Sequence, residues 1–319
     1  MTPVLPVWLQ PANDRLMQAY RAERLPHAML IIGRVGDGLH RFGQRLSHQL
    51  LCTSDGVRPC GECRPCQLVK AGSHPDQRVI EPEGKSDTIK VDAVRDIADF
   101  MHETAQQGGN KVIRLTRADR MNNNAANALL KMLEEPTPNT FLLLETESLS
   151  RLLPTVRSRC RLLRLDRPSL EQAREYLQQQ SVTDRLDDRL ALTAGAPLAA
   201  AELSDDALTA WQGRVERFRQ ERGFSALAAY IAEQDSDALL DQLLLWMDGA
   251  VHRQFHTEHA ISSLDAPVVE PLSALPSEAL FGFRDLVLRL KESLAGQANL
   301  NAQLWSEQLA ARWLELTSN

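Results

Sequence analysis

The sequence predicts an α/β domain built around a parallel sheet, followed by a small helical unit and a helical C-terminal region. Three observations carry this expectation. Up to about residue 168, short apolar runs alternate with segments of helical spacing, the pattern of strands joined by covering helices. From about Ser169 the strand signals stop. The chain has 319 residues and is 43% hydrophobic, enough for two or three cores and too apolar for extended disorder.

Taken in order, HAMLIIG (27–33) reads as a buried strand, and RFGQRLSHQLLC (41–52) places Phe42, Leu46 and Leu50 on one helix stripe. DQRVIEP (76–82) is a candidate strand, and IKVDAVRDIADFMHETA (89–105) has helical spacing at Val91, Val94, Ile97 and Met101. KVIRLTRA (111–118) and TFLLLETES (140–148) are further strands, separated by the Ala-rich helix NNAANALLKMLEEP (123–136), which Pro136 ends. RCRLLRLDRP (159–168) supplies one more strand. SLEQAREYLQQQ and DDRLALTAGAPLAAAEL form the small helical unit. After Asp205 the pattern is helical to the end, with SSLDAPVVEPLSALPSE (262–278) expected as a loop.

No apolar stretch approaches the ~20 residues of a membrane span, and MTPVLPVWLQ lacks the basic start and long apolar core of a signal peptide. A soluble cytoplasmic protein, with no membrane partner, is the expectation. The net charge of −6 argues against a dedicated nucleic-acid binder, whose affinity rests on many Lys and Arg contacts to phosphate. Local basic patches are compatible with that total.

Four of the five cysteines crowd into residues 52–66 with the spacing C-x7-C-x2-C-x2-C. In a cytosolic chain this favours metal over disulfides. Cys52, Cys60, Cys63 and Cys66 supply the four thiolates of a closed tetrahedral Zn²⁺ site, with Gly61 and Pro65 suited to the turns between ligands. With no open position for water, such a zinc is structural. Unligated buried thiols and a redox C-x-x-C pair are the weaker alternatives. Cys160 reads as an ordinary buried residue.

GRVGDGLHRF (33–42) follows the first strand with the glycine spacing of a phosphate-binding loop, at Gly33, Gly36 and Gly38. Leu39 and His40 stand where such a loop carries Lys and then Ser or Thr. The Lys would supply charge to the phosphates and the hydroxyl would ligate Mg²⁺. Leu39 can do neither, and His40 suits a hard cation poorly. At the end of the strand KVIRL, Thr116-Arg117 occupies the place of the usual Asp-Glu, before Ala118-Asp119. Two separate halves of an ATPase site are therefore missing together. Glycine amides alone could still hold a phosphate ion at the helix N-terminus.

RLPHAMLIIG (24–33), the four-cysteine insertion, SHPDQRVIEPEG (73–84), NAANALLKMLEEP (124–136) and LLPTVRSRC (152–160) follow one another in this chain. The ordered set resembles the AAA+ subunits of bacterial clamp loaders, strongly over residues 1 to about 168 and only in general pattern beyond. The resemblance implies a P-loop NTPase-like AAA+ domain with a zinc-binding insertion (1–166), a small helical lid domain (167–206) and an all-α collar domain (207–319). It implies a non-hydrolysing component of a DNA polymerase holoenzyme, without ATP of its own. Its partners would be the clamp-loader delta subunit and gamma/tau motor subunits, and indirectly the sliding clamp and primer-template DNA. In the family, the Arg of Ser-Arg-Cys reaches the ATP of a neighbouring motor subunit; here that is Ser158-Arg159-Cys160. Active relatives often carry a nucleotide-sensing Arg two residues after the Pro of a Gly-x-Pro turn, where this chain has Ala199.

Plainer readings stand beside these. Arg159 is also one of several arginines, with Arg157, Arg161 and Arg164, suited to surface ion pairs. His27 packs or caps a strand entry. Adjacent helical residues diverge by about 100°, so Glu134-Glu135 suits a solvated or subunit-contacting face rather than a shared acid site. The thiolates leave His74-Pro75-Asp76 no place in a zinc shell. Trp211, Trp246, Trp305 and Trp313 suit core or interface packing. Two other functions remain open at this level: a genuine ATPase of the same fold using unusual residues, and a zinc-bearing nucleic-acid module.

Overall fold

The apolar runs fold as five parallel strands, Ala28–Ile32 (β1), Gln77–Ile80 (β2), Lys111–Leu115 (β3), Thr140–Thr146 (β4) and Arg161–Arg164 (β5), hydrogen-bonded in the order β2-β3-β4-β1-β5. This computed structural model describes residues 4–84, 87–255, 262–295 and 302–317. The chain divides into two compact units: residues up to 181 with 196–199, and residues 182–195 with the chain from 200 on. None of the described helices is long and apolar enough to cross a membrane.

Among the described residues, the first unit holds the sheet and seven α-helices before residue 181: Gln10–Arg21 (α1), Leu39–Leu51 (α2), Arg64–Lys70 (α3), Val91–His102 (α4), Asn123–Glu134 (α5), Pro154–Arg157 (α6) and Leu170–Gln179 (α7). β1 pairs with β4 through Met29↔Leu143 and with β5 through Leu30↔Leu162. β1 and β3 are buried along their whole length, as a sheet covered on both faces requires. Alternate residues divide the faces. Leu30, Ile113, Leu115, Leu142 and Leu144 pack with Val94, Ile97 and Phe100 of α4 and Leu129 and Leu133 of α5. The opposite face carries α2, whose Phe42, Leu46 and Leu50 are buried.

Local signals set the helix ends. The Asn122 side chain accepts from the Ala125 N–H and starts α5. Ser169 and Gln172 form a reciprocal capping box that starts α7, at the residue where the strand pattern stops. Buried Lys111 donates from Nζ to the carbonyls of Phe100, Met101 and Glu103 and so closes the C-terminal end of α4. Buried Asp76 accepts the Gln106 and Gln107 N–H groups at 2.7 and 2.9 Å. The His-Pro-Asp segment therefore has a folding role.

The second unit is helical: Leu186–Leu192 (α8), the later part of Pro197–Glu202 (α9), Asp205–Gln220 (α10), Phe224–Ala232 (α11), Ser236–Phe255 (α12), Ala266–Ser273 (α13), Ser277–Ala295 (α14) and Ala302–Thr317 (α15). Its core centres on aromatic rings. Phe218 stands edge-on to Trp313 at 5.0 Å and to Trp246 at 5.6 Å. Trp246, Trp305 and Trp313 are buried, whereas Trp211 is half-buried and shares with Trp246 a hydrogen bond to buried Asp265.

Two expectations need correction. Residues 266–273, expected within a loop, form α13. Pro267 fits its first turn, and burial of Val268, Val269 and Leu272 outweighs the backbone hydrogen bond that Pro271 cannot donate. Pro65 does not lie in a turn between cysteines but in the first turn of α3.

Candidate functional site

The glycine loop joins β1 to α2 as a tight 3-10 turn at Val35–Asp37. Gly38 completes it with φ +104°, a conformation that favours glycine. A phosphate cradle needs backbone N–H groups converging on one point. Here several are already bonded within the protein. The Asp37 and Leu39 N–H groups donate to the Arg34 carbonyl at 3.1 and 3.2 Å, and the Gly38 N–H donates to Val35 at 2.9 Å. The Val35 N–H donates to the Glu147 carboxylate at 2.8 Å. The Trp8 indole N–H donates to the Asp37 carbonyl at 2.9 Å and holds the turn from the other side. Burial pushes the Asp37 carboxyl upward in pKa, and both its oxygens are buried without a hydrogen bond.

Gly36 is covered as well. A Cβ built there would lie 2.8 Å from the Ala196 Cβ and 3.0 Å from the Ala199 Cβ. Ala196 and Ala199 thus rest directly on the glycine loop. Leu39 is core. The His40 ring Nδ1 meets Glu145 Oε2 at 2.5 Å, and Arg114 Nε donates to Glu145 Oε1. Glu145 is fully buried, and Gly43 of α2 makes room for it: a Cβ at 43 would stand 1.9 Å from the carboxylate. Glu145, Arg114 and His40 thus form an internal polar network against α2.

At the end of β3, the Thr116 hydroxyl donates to the Ile80 carbonyl. Arg117, with φ +49°, makes a two-pronged pair with Asp87. Asp119 accepts from the Thr146 hydroxyl at 2.8 Å. Leu39 thus stands at the position of the loop cation, and Thr116-Arg117 at that of the acidic pair.

Arg159 follows α6 and is half-exposed. Its Nε donates to Glu134 Oε1 at 2.7 Å, its Nη2 lies 2.5 Å from the same oxygen, and its Nη1 donates to the Thr155 carbonyl at 3.0 Å. Its neighbour Cys160 is buried, and burial pushes that thiol up to about 12. The expectation that Cys160 is an ordinary buried residue fits this setting. His27 meets the Leu133 carbonyl at 3.2 Å, in keeping with a packing role.

The cysteine insertion brings its four sulfurs within 4.8 Å of one another. Cys52 closes α2, Cys63 caps α3, Cys66 lies in its first turn, and Cys60 lies on the loop between the helices. Sγ–Sγ distances of 3.7, 3.8 and 3.9 Å match the ~3.8 Å edge of a tetrahedron with Zn–S near 2.3 Å. The Cys60 and Cys63 N–H groups donate to the Cys52 and Cys60 sulfurs, orienting them as outer-shell bonds orient metal thiolates. The four-thiol cluster is fit to hold a metal ion.

A parallel five-stranded sheet with a glycine loop after β1, together with a helical second unit, defines an α/β chain with a helical C-terminal part. A family model described as DNA polymerase III, delta subunit, matches residues 9–169. DNA polymerase III subunit delta' of Pseudomonas aeruginosa is 36% identical over 302 residues, covering 91% of this chain and 92% of that one. The Escherichia coli subunit delta' is 35% identical over 317 residues, covering 96% and 94%. The Haemophilus influenzae subunit delta' is 40% identical over 204 residues, covering 63% and 62%. The chain belongs to the DNA polymerase III delta-prime subunit family.

Sequence reasoning missed the Glu145–Arg114–His40 network and the Glu134–Arg159 pair. A charged letter inside each apolar strand, Arg114 in KVIRL and Glu145 in TFLLLET, was the available signal for the first. The second brings together residues 25 positions apart, and no local pattern marks it.

Proposed function

We propose that this chain is a non-hydrolysing clamp-loader subunit that binds no ATP and donates Arg159 to the nucleotide of a neighbouring motor subunit. It acts in the cytoplasm beside a delta subunit and gamma/tau motor subunits, helping ATP-dependent loading of the sliding clamp onto primed DNA. Residues 1–166, 167–206 and 207–319 serve as AAA+ domain, lid and collar.

The observation that carries this reading is the loop closed by its own bonds. The N–H groups at 35, 37, 38 and 39 are spent within the protein, and Ala196 and Ala199 cover Gly36. Arg159, by contrast, is half-exposed. A planar, permanently charged fork suits bridging phosphate oxygens across an interface, where it stabilises charge developing in the transition state.

Labelled ATP is expected not to bind the isolated chain, and saturable micromolar binding would overturn the reading. In the reconstituted complex, Arg159→Ala is expected to lower DNA-stimulated ATPase about tenfold. That is short of the ~10³-fold worth of a finger at a single site, and it exceeds one site's share of the turnover because the motor subunits would fire in a coupled cycle. Unchanged turnover would remove Arg159 from this role.

Zn²⁺ held by Cys52, Cys60, Cys63 and Cys66 would tie down the 52–66 loop and leave no ligand position for catalysis. Elemental analysis is expected to find one zinc per chain, lost when Cys63 and Cys66 are both replaced by Ala. A metal-free wild-type protein would defeat the assignment.

A further inference from the structure

We infer that Glu134 is a positioning residue for Arg159, fixing the guanidinium as a preset fork for phosphate oxygens; this rests on the proposed role of Arg159 in trans. An arginine on a surface turn samples many rotamers, and only a fraction aim its fork at one point. Here the side chain is tied at three of its nitrogens. Nε and Nη2 share Glu134 Oε1, and Nη1 holds the Thr155 carbonyl. A guanidinium has five N–H bonds, one on Nε and two on each terminal nitrogen. These contacts use three and leave one N–H on each terminal nitrogen for phosphate oxygens.

Both anchors are themselves fixed. Glu134 is the last residue of α5, and the preceding Leu133 lies in the core beside the sheet. Val156 and Cys160, which bracket Arg159, belong to the same core cluster, and the Arg159 N–H donates to the Val156 carbonyl at 3.2 Å. The carboxylate and the arginine backbone are thus held by one packed body, so the fork's direction is set before any partner arrives. A group held ready makes its contact with the transition state without first losing rotamer freedom.

The test uses the reconstituted clamp-loader complex, with DNA-stimulated ATPase measured against ATP concentration. Glu134→Ala is expected to lower kcat about fivefold with KM for ATP within about twofold, the signature of a contact realised in the transition state. Glu134→Gln keeps an acceptor oxygen and is expected to fall between wild type and Glu134→Ala. Glu135→Ala, one residue further on, is the control and is expected to match wild type. Unfolding of the isolated variants should coincide with wild type. If Arg159→Ala lowers turnover while Glu134→Ala equals or exceeds wild type, Glu134 is a bystander or a brake and the inference falls. If Arg159→Ala changes nothing, the reading beneath it falls first. A rise in KM with unchanged kcat for Glu134→Ala also overturns it, since that reports ground-state binding.

Discussion

The glycine loop and the Arg159 turn lie in one domain and are treated by the fold in opposite ways. The loop directs its N–H groups into the protein, onto Arg34, Val35 and Glu147, and buries Leu39. The Arg159 turn buries its flanking residues Val156 and Cys160 and leaves the charged side chain between them half-exposed. In the loop, groups suited to a ligand have become structure. At the turn, structure serves to present a group. The two sites thus bond in opposite directions, inward at the loop and outward at the turn, and the difference should separate stability from activity.

The largest effect belongs to the inward site. Glu145→Ala leaves Arg114 buried without its counter-ion and is expected to cost about 3–5 kcal/mol, whereas Arg159→Ala should change stability by less than about 0.5 kcal/mol. Urea midpoints of the isolated variants measure both. Equal costs would break the contrast.

The next effect is on pH. Buried His48, on the same helix as the loop's His40, has its pKa lowered to about 4, first by burial and then by the charge of Arg114. Between the ordinary value of 6.5 and about 4 the unfolded chain binds the proton and the folded chain does not. Stability is therefore full above pH 6.5 and falls as pH drops toward 4, by about 3 kcal/mol from this group. His48→Gln is expected to flatten that slope, read from unfolding midpoints across the range.

Much of the fold was legible because its rules are local. Continuous apolar runs marked the central strands, four-residue spacing marked α2, and C-x2-C pairs marked the thiol cluster whatever the fold around them. What escaped was set by distance or by competition. The segment 262–278 read as a loop, yet three buried side chains hold α13 together within it. Leu39 and His40 showed that the loop lacks the Lys and Ser or Thr of a phosphate-binding loop. That the loop is sealed depended on Trp8, Glu147 and Ala196, residues far away in sequence. Glu134 and Arg159 were each noticeable alone, and their pairing required the packing of α5 against α6.

Trp8 gives the sealed loop a spectroscopic label. The other four of the five tryptophans lie between residues 211 and 313, so Trp8 is the sole indole of the first unit. It is buried, edge-on to Tyr176 at 5.5 Å, with its N–H on the loop carbonyl of Asp37. A fluorotryptophan-labelled sample carries one resonance that belongs to the loop and four that belong to the helical region. A loop that stays shut while neighbouring subunits cycle through ATP holds that single line still, and a loop that opens shifts it.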